Sequence, residues 1–223
     1  LLLWEFKLYF RMSIFVGNNC KIDPSAIIGD NCCIGDNTII RKNVIVGNNV
    51  TICENCILGE TPTVWDAEGS NKGFEGNLII GNNCCIKPYV VIERGFCGHT
   101  SIGDNCFISS GCGIGHDVHI GNDCIFFPFV CVLGNATIGN NTKALAYSLI
   151  GNGTVVGEDS IIYFKAFAKN SIEPKSFIVG QDGATLKEHC KKRKLLKRID
   201  KLSQRIKILE DAIDGRNNKK RKR

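Results

Sequence analysis

The sequence has no hydrophobic run long enough to span a lipid bilayer. Its N-terminal stretch is apolar but is interrupted by Lys7 and Arg11, and it lacks the order of a signal peptide, in which positive charge precedes an apolar run. We therefore expect no membrane span and a cytoplasmic location. Met12 is the one methionine, and a repeat begins directly after it. We expect translation to start there and residues 1–12 to be a non-native or disordered leader.

Several signatures of catalysis and metal binding are also missing. The chain has neither a phosphate-binding loop of the GxxxxGK[ST] type nor a serine-centred nucleophile elbow. Its lone C-x-x-C motif, Cys53–Cys56, has no second pair at zinc-finger spacing. Histidine is scarce, with four in the chain. These absences predict no metal site.

Positive charge is concentrated at one end of the chain. The formal net charge is +6, but Lys and Arg are dense over residues 187–223. This distribution predicts a basic tail rather than a nucleic-acid-binding face, so we expect no nucleic-acid partner. Apolar residues at heptad spacing predict that residues 181–223 are helical. The heptad positions are Leu195, Ile199, Leu202, Ile206, Leu209 and Ile213.

A period of six dominates the rest of the sequence. An apolar residue opens each of 23 hexads, and Gly follows it in twelve of them. A period of six fits neither a helix face nor a simple alternating strand, but it fits short strands separated by tight turns. The apolar positions are 16, 22, 28, 34, 40, 46, 52 and 58, then 80, 86 and 92, and then every sixth residue from 102 to 168.

Three hexads would complete one coil of about eighteen residues, and stacked coils would bury a continuous core. This pattern resembles the left-handed parallel β-helix of hexapeptide-repeat acyltransferases. The resemblance implies an all-β solenoid over residues 13–180, with a loop insertion at 59–79 and a C-terminal α-helical extension. Seven cysteines fall at position five of their hexads, the inward-facing slot, where a thiol behaves as a small hydrophobe in a reducing compartment. They are Cys20, Cys32, Cys56, Cys84, Cys106, Cys112 and Cys124.

His116 occupies position three of its hexad, a slot that other hexads fill with Asn or Asp. One interpretation is that it is another polar turn residue. The other is that it is a general base, because Asp117 follows it and could orient the imidazole. Gly134 lies one coil later, where its backbone N–H could meet a developing oxyanion. His119, at position six, is expected to face outward.

The segment GIGHDVHIGND also resembles the histidine motif of sugar acyltransferases with this fold. The wider stretch resembles UDP-3-O-acylglucosamine N-acyltransferases, on account of the 59–79 insertion, the segment Ile92-Glu93-Arg94-Gly95, the histidine hexad and the helical C-terminus. The resemblance implies that His116, with Asp117, is the catalytic base and that Gly134 is the oxyanion donor. Arg94 and His99 are candidates for substrate binding. A related group, acetyltransferases of nucleotide-linked amino sugars, is nearly as good a match in function.

The implied reaction moves an acyl group from acyl-CoA (acetyl-CoA included) or an acyl carrier protein to the amino group of a nucleotide-linked amino sugar. The donor is a co-substrate, and no tightly bound cofactor is expected. The family implies a homotrimer, whereas Ile at a and Leu at d of the tail would by themselves favour two strands. The alternatives are O-acylation of a sugar hydroxyl and a non-catalytic β-helix used as an interaction module. A third alternative is a zinc carbonic anhydrase with a β-helix, but such an enzyme would need three converging histidines.

Overall fold

The computed structural model describes residues 14–62, 75–96, 98–180 and 184–220. The predicted leader, residues 1–12, lies outside these ranges, as does most of the predicted insertion (63–74). The chain divides into two units, Leu1–Gly183 and Ala184–Arg223.

The first unit is a parallel β-solenoid of about eight turns, which confirms the predicted β-helix. Each strand is short because the turn after it recurs every six residues. The strands are β1 (Phe15–Val16), β2 (Lys21–Ile22), β3 (Ile27–Ile28), β4 (Cys33–Ile34), β5 (Ile39–Ile40), β6 (Val44–Val46), β7 (Thr51–Ile52), β8 (Ile57–Glu60), β9 (Asn77–Ile80), β10 (Cys85–Ile86), β11 (Val91–Glu93), β12 (His99–Ile102), β13 (Phe107–Ile108), β14 (Gly113–Ile114), β15 (His119–Ile120), β16 (Ile125–Phe126), β17 (Cys131–Val132), β18 (Thr137–Ile138), β19 (Lys143–Ala144), β20 (Leu149–Ile150), β21 (Val155–Val156), β22 (Ile161–Ile162), β23 (Phe167–Ala168) and β24 (Phe177–Val179).

Three sheets form the faces of the prism. Sheet A runs β1-β4-β7-β10-β13-β16-β19-β22-β24, sheet B runs β2-β5-β8-β11-β14-β17-β20-β23, and sheet C runs β3-β6-β9-β12-β15-β18-β21. We call the turn from sheet A to sheet B the first corner, the turn from B to C the second corner, and the turn from C to A the third corner. Stacking each coil on the next brings equal hexad positions together at every corner.

The core consists of residues at hexad positions one and five, as the sequence predicts. Ile108, at position one, and Cys106, at position five, are 0% and 1% exposed. The position-five thiols also form hydrogen bonds, since Cys106 Sγ donates to the Gly121 carbonyl at 3.1 Å. Thr38 occupies the same slot and donates to the Cys53 carbonyl at 2.9 Å. The slot therefore suits a small side chain that can satisfy a backbone carbonyl of the next coil.

Positions two and four shape each corner for different reasons. At most corners position four takes the left-handed conformation, and the non-glycine residues that do so have φ between 54° and 63° and are most often Asn or Asp, which tolerate it. The glycine at position two is required by close approach. At Gly35, for example, a β-carbon would lie 2.5 Å from the Glu54 backbone nitrogen. The structure thus gives positions two and four different roles at each corner.

Two interruptions of the register both occur at the second corner. Paired residues in neighbouring coils are normally eighteen apart, as in Asn122 and Asn140. The spacing becomes 34 between Asn48 and Asn82, because of the insertion, and 22 between Asn82 and Asp104. The second interruption loops out residues just after β11. It brings Phe96 and Gly98 over the coil that contains His116.

The second unit contains β25 (Ala184–Thr185) and one helix, α1 (Leu186–Lys220). Thr185 and Glu188 form a reciprocal capping box, in which the Glu188 N–H donates to Thr185 Oγ1 and the Thr185 N–H donates to Glu188 Oε2. Leu195, Ile199 and Leu202 of the predicted heptad seam are 57%, 48% and 54% exposed. Within the described part of the chain, no helix is both long and apolar enough to cross a membrane.

Candidate active site

His116 lies at the second corner, directly after β14. The side chains of His116 and Asp117 are 18% and 14% exposed, so both are largely buried but still reachable by a ligand. His116 Nδ1 is 3.0 Å from Asp117 Oδ2. The predicted pairing of imidazole and carboxylate is therefore present in the structure.

Three hydrogen bonds fix the Asp117 carboxylate. Besides the bond with His116, it accepts the Phe96 N–H at Oδ2 and the Gly98 N–H at Oδ1, each at 2.9 Å. Burial opposes ionisation of this group, but the bonds from His116 and the two backbone amides outweigh it and lower the pKa of Asp117. An ionised carboxylate accepts, so Nδ1 of His116 carries the proton, and in the neutral ring Nε2 then has its lone pair available.

The backbone of His116 is held from the previous coil. At an ordinary corner the N–H of position three donates to the next coil, as Asp104 N–H does to Asn122 Oδ1 at 2.8 Å. The residue above His116 is Gly134, which has no side chain to accept. Instead, the His116 N–H donates to Glu93 Oε2 at 3.1 Å. Glu93 thus performs the positioning role that an asparagine has elsewhere.

Gly134 is in contact with the imidazole. A β-carbon at this position would lie 2.6 Å from His116 Nε2 and 2.8 Å from Cε1, so any larger residue would displace the ring. Among the described residues, no group accepts a hydrogen bond from the Gly134 N–H. Gly134 is buried and lines the cavity beside His116. The N–H is thus available to a ligand atom placed near Nε2.

Two cavities meet at His116. One, of about 440 Å³, lies on the sheet B side, and its lining includes Glu93, Gly113, Cys131 and Gly134. The other, of about 430 Å³, lies toward sheet C and includes Phe96, Asp117, His119 and Asn135. We call these the sheet B cavity and the sheet C cavity. Two reactants could therefore approach the imidazole from different sides.

The remaining histidines near the site lie on sheet C. His119 Nδ1 is 2.9 Å from Ser101 Oγ, and its ring makes an edge contact with His99 at a centroid distance of 4.9 Å. As expected, His119 lies outside the core, and its half-buried side chain lines the sheet C cavity. His99 is exposed and touches the site through His119. Its role in substrate binding stays a prediction.

Arg94 is not in the same cavity as His116. It is 6% exposed, and its guanidinium donates to the Gly59 carbonyl at 3.0 Å and to Thr61 Oγ1 at 3.5 Å. It lines a third cavity on the N-terminal side. The role of Arg94 in substrate binding therefore stays a prediction. Within the described ranges, no three His, Cys, Asp or Glu side chains come together as a metal site would require.

Glu93 and Phe96 had no assigned role in the sequence. Glu93 ends β11 at a register shift, and Phe96 lies in the irregular piece that follows, where the period of six fails. The break in the six-residue period was the sequence signal for these two residues, because a looped-out segment can cross to the next coil. Phe96 lies with its ring centroid 6.0 Å from that of His116.

Comparisons with known proteins agree with the repeat and the fold. The family described as "Bacterial transferase hexapeptide (six repeats)" matches residues 13–48 and 99–134. Together the two matched segments make up about a third of the chain. The second segment includes His116, Asp117 and Gly134, so the candidate site is built within the repeat itself. The predicted resemblance to hexapeptide-repeat acyltransferases is confirmed.

Among curated proteins, this chain is 24% identical over 138 residues to the UDP-3-O-acylglucosamine N-acyltransferase of Methylococcus capsulatus. The match covers 62% of this chain and 39% of that protein, so this chain spans about two fifths of its relative. Among solved structures, the UDP-N-acetylglucosamine acyltransferase of Campylobacter jejuni superposes with a TM-score of 0.69 at 24% identity, covering 77% of this chain and 69% of that one. The enzyme of the same name from Bacteroides fragilis gives 0.63 at 28% identity, covering 79% and 70%.

Proposed function

We propose that this chain is an acyltransferase that moves an acyl group from a thioester donor to the amino group of a nucleotide-linked amino sugar. The observation that carries the proposal is the arrangement at the second corner. A histidine paired with an ionised aspartate has its Nε2 beside Gly134, whose backbone N–H has no partner among the described residues, and two cavities meet there. The repeat family and the named relatives support this class of substrate.

In the proposed reaction, the neutral amine attacks the thioester carbonyl while His116 Nε2 accepts the proton that the nitrogen loses. The carbonyl oxygen becomes an oxyanion and accepts a hydrogen bond from the Gly134 N–H. When the intermediate collapses, the C–S bond breaks and the imidazolium returns the proton to the thiolate sulfur. Asp117 stabilises the imidazolium between these steps, and no acyl-enzyme forms.

The donor in this proposal is acyl-CoA, such as acetyl-CoA, or an acyl carrier protein, and it acts as a co-substrate. The enzyme is a homotrimer in the cytoplasm, a reducing compartment that suits the buried thiols at position five. Light scattering tests the assembly, and a full-length monomer would contradict it.

A second candidate is acyl transfer to a sugar hydroxyl. Among the structural relatives is a UDP-N-acetylglucosamine O-acyltransferase from Moraxella catarrhalis, at a TM-score of 0.54 and 25% identity over 77% of this chain and 71% of that one. Imidazole can deprotonate a hydroxyl by the same route. The stability of the product distinguishes O-acylation from N-acylation, because mild alkali cleaves the ester of an O-acylated sugar and leaves the amide of an N-acylated sugar intact.

The direct test is a mass-spectrometric screen of acyl-CoA and acyl-carrier donors against UDP- and dTDP-linked amino sugars. We expect a new acylated sugar with the wild-type chain and almost none with His116→Ala. His189→Ala is the matched control, because His189 is exposed on α1. Equal turnover in the His116→Ala and wild-type chains would refute the proposal.

A further inference from the structure

The third cavity is distinct from the candidate active site. It has a volume of about 660 Å³ and shares no lining residue with the sheet B or sheet C cavity. It lies along the second corner at the first coils of the β-helix, and its polar lining is Lys21, Asp23, Arg41, Lys42, Thr61 and Arg94. We call it the basic cavity.

The basic cavity carries a surplus of positive charge. Four of its lining residues are cationic, whereas Asp23 is its one acidic residue, and Glu60 lies alongside, paired with Arg41 at 2.6 Å. Burial opposes ionisation of Glu60, but hydrogen bonds from the Thr61 N–H and from Arg41, with the charges of Arg41 and Arg94, lower its pKa. The pKa of Asp23 is lowered mainly by hydrogen bonds from Ser25. Even with both carboxylates ionised, two positive charges remain among these described residues.

The shape and chemistry of this cavity fit a phosphorylated ligand. Lys21 and Lys42 have exposed side chains that are available as point charges, while the Arg94 guanidinium is held rigidly in the wall by Gly59 and Thr61. Arg and Lys are the side chains that recognise phosphate oxygens. Ile22 and Ile39 add an apolar surface to the same cavity. A ligand with a double negative charge and a flat organic part matches this combination.

The basic cavity is placed within reach of His116. Arg94 directly follows Glu93, whose carboxylate holds the His116 backbone. Strands β11 and β14 are neighbours in sheet B, so the corners at Arg94 and His116 are about 5 Å apart along the axis. The corner at Arg41 and Lys42 is three strands from that of His116, or about 14 Å. A diphosphate held between Lys42 and Arg94 would leave about one sugar ring between itself and the imidazole.

We propose that the basic cavity binds the diphosphate of a nucleotide substrate, with Lys21 and Lys42 as its mobile cationic contacts and Arg94 as its fixed one. The inference rests on the proposed function for the identity of the nucleotide. The diphosphate chemistry is shared by a nucleotide-linked sugar and by CoA. The experiment therefore includes both, together with inorganic pyrophosphate, which carries the charge alone.

The test is calorimetric titration of the full chain with pyrophosphate, UDP and CoA, before and after the double substitution Lys21→Ala and Lys42→Ala. Both side chains are exposed, so the fold should be retained, and an unchanged thermal midpoint verifies this. The control is Lys143→Ala with Lys187→Ala, which removes two exposed lysines from sheet A and from α1. We expect the cavity variant to bind pyrophosphate at least about tenfold more weakly, and the control to bind as wild type does.

The nucleotide arms identify the source of the diphosphate. Weaker binding of UDP with unchanged CoA assigns the cavity to the acceptor, and the reverse assigns it to the donor. Equal binding of all three ligands by the cavity variant and the control would overturn the inference, as would no binding by wild type.

The outcome is independent of catalysis. His116→Ala should still bind pyrophosphate, and lysine-dependent binding without acyl transfer would leave this inference standing while refuting the proposed function. If the cavity variant transferred acyl groups robustly and its KM for the nucleotide sugar were unchanged, the proposed function would stand and this inference would be refuted.

Discussion

At the third corner, the N–H of position three donates to a side-chain oxygen one coil ahead, in a ladder from Asp30 to Asn140 with distances of 2.6–2.9 Å. At the second corner, the same N–H of His116 donates backward to Glu93 at 3.1 Å, and the position ahead is glycine. Both corners come from the same six-residue repeat. The ladder uses each polar group for the neighbouring coil, whereas the second corner leaves Nε2 and the Gly134 N–H for a ligand.

The two interruptions of the register add to this difference. Both lie at the second corner, and Phe96 and Gly98 of the second one reach forward to Asp117 in the next coil. We infer that a repeat acquires a site where stacking is locally incomplete and where other segments compensate for the lost contacts.

Substituting His116→Asn should have the largest effect, because it gives the second corner the side chain of the third. We expect turnover to fall by roughly 10²–10⁴, the range usual for loss of a general base, while the fold is retained. The residual rate should rise with pH as hydroxide or deprotonated amine replaces the imidazole. Steady-state kinetics with circular dichroism checks this. A fully active His116→Asn chain would mean that the histidine is only a turn residue.

Asp117→Asn should have a smaller effect on turnover, roughly tenfold, because Asn keeps the left-handed turn but does not stabilise the imidazolium. The substitution also predicts a pH effect. Folding lowers the pKa of Asp117, so its carboxylate stabilises the folded chain above the unfolded pKa, and this contribution is lost as pH falls through the folded value.

Wild type should therefore lose more stability than Asp117→Asn below about pH 4, where an unperturbed aspartate becomes protonated. Denaturant melts at several pH values measure the difference. Parallel losses in the two chains would contradict the ionised, hydrogen-bonded carboxylate.

Cys106→Ala probes the third corner from the inside. We expect a loss of about 1–2 kcal/mol in the free energy of unfolding, because a buried thiol and its bond to the Gly121 carbonyl are removed. Turnover should not change. Chemical denaturation and a rate assay on the same sample test both statements. Loss of turnover in a folded Cys106→Ala chain would show that this corner is not purely structural.

The smallest expected effect is that of Asn122→Ala on the ladder. The variant removes the acceptor of the Asp104 N–H, but this exposed group can bond to water, so a loss of about 1 kcal/mol or less is expected. Activity should match wild type. Asn18→Ala is a useful comparison, because it lies at the first corner of the first coil and its side chain accepts no hydrogen bond from a described residue. Equal melting curves for the two variants would show that the ladder adds little.

The sequence by itself determined the solenoid, its core and the position of the candidate base. A six-residue period has a direct physical meaning. One apolar side chain per hexad must point inward, and every stacked coil has the same requirement. The cysteines at position five followed from the same arithmetic, and so did the placement of Gly134 one coil beyond His116. Local periodicity was sufficient for all of these.

Only the tertiary structure decided which groups complete the site. Glu93 and Phe96 come from a segment that breaks the period, and periodicity cannot place residues where it fails. Position four shows the same limit, since Tyr89, Phe129 and Tyr147 adopt the left-handed turn that the sequence associates with asparagine. The separation of Arg94 from His116 also required the fold, because neighbours in the chain can face different cavities. Contacts between coils, rather than local propensity, fix these arrangements.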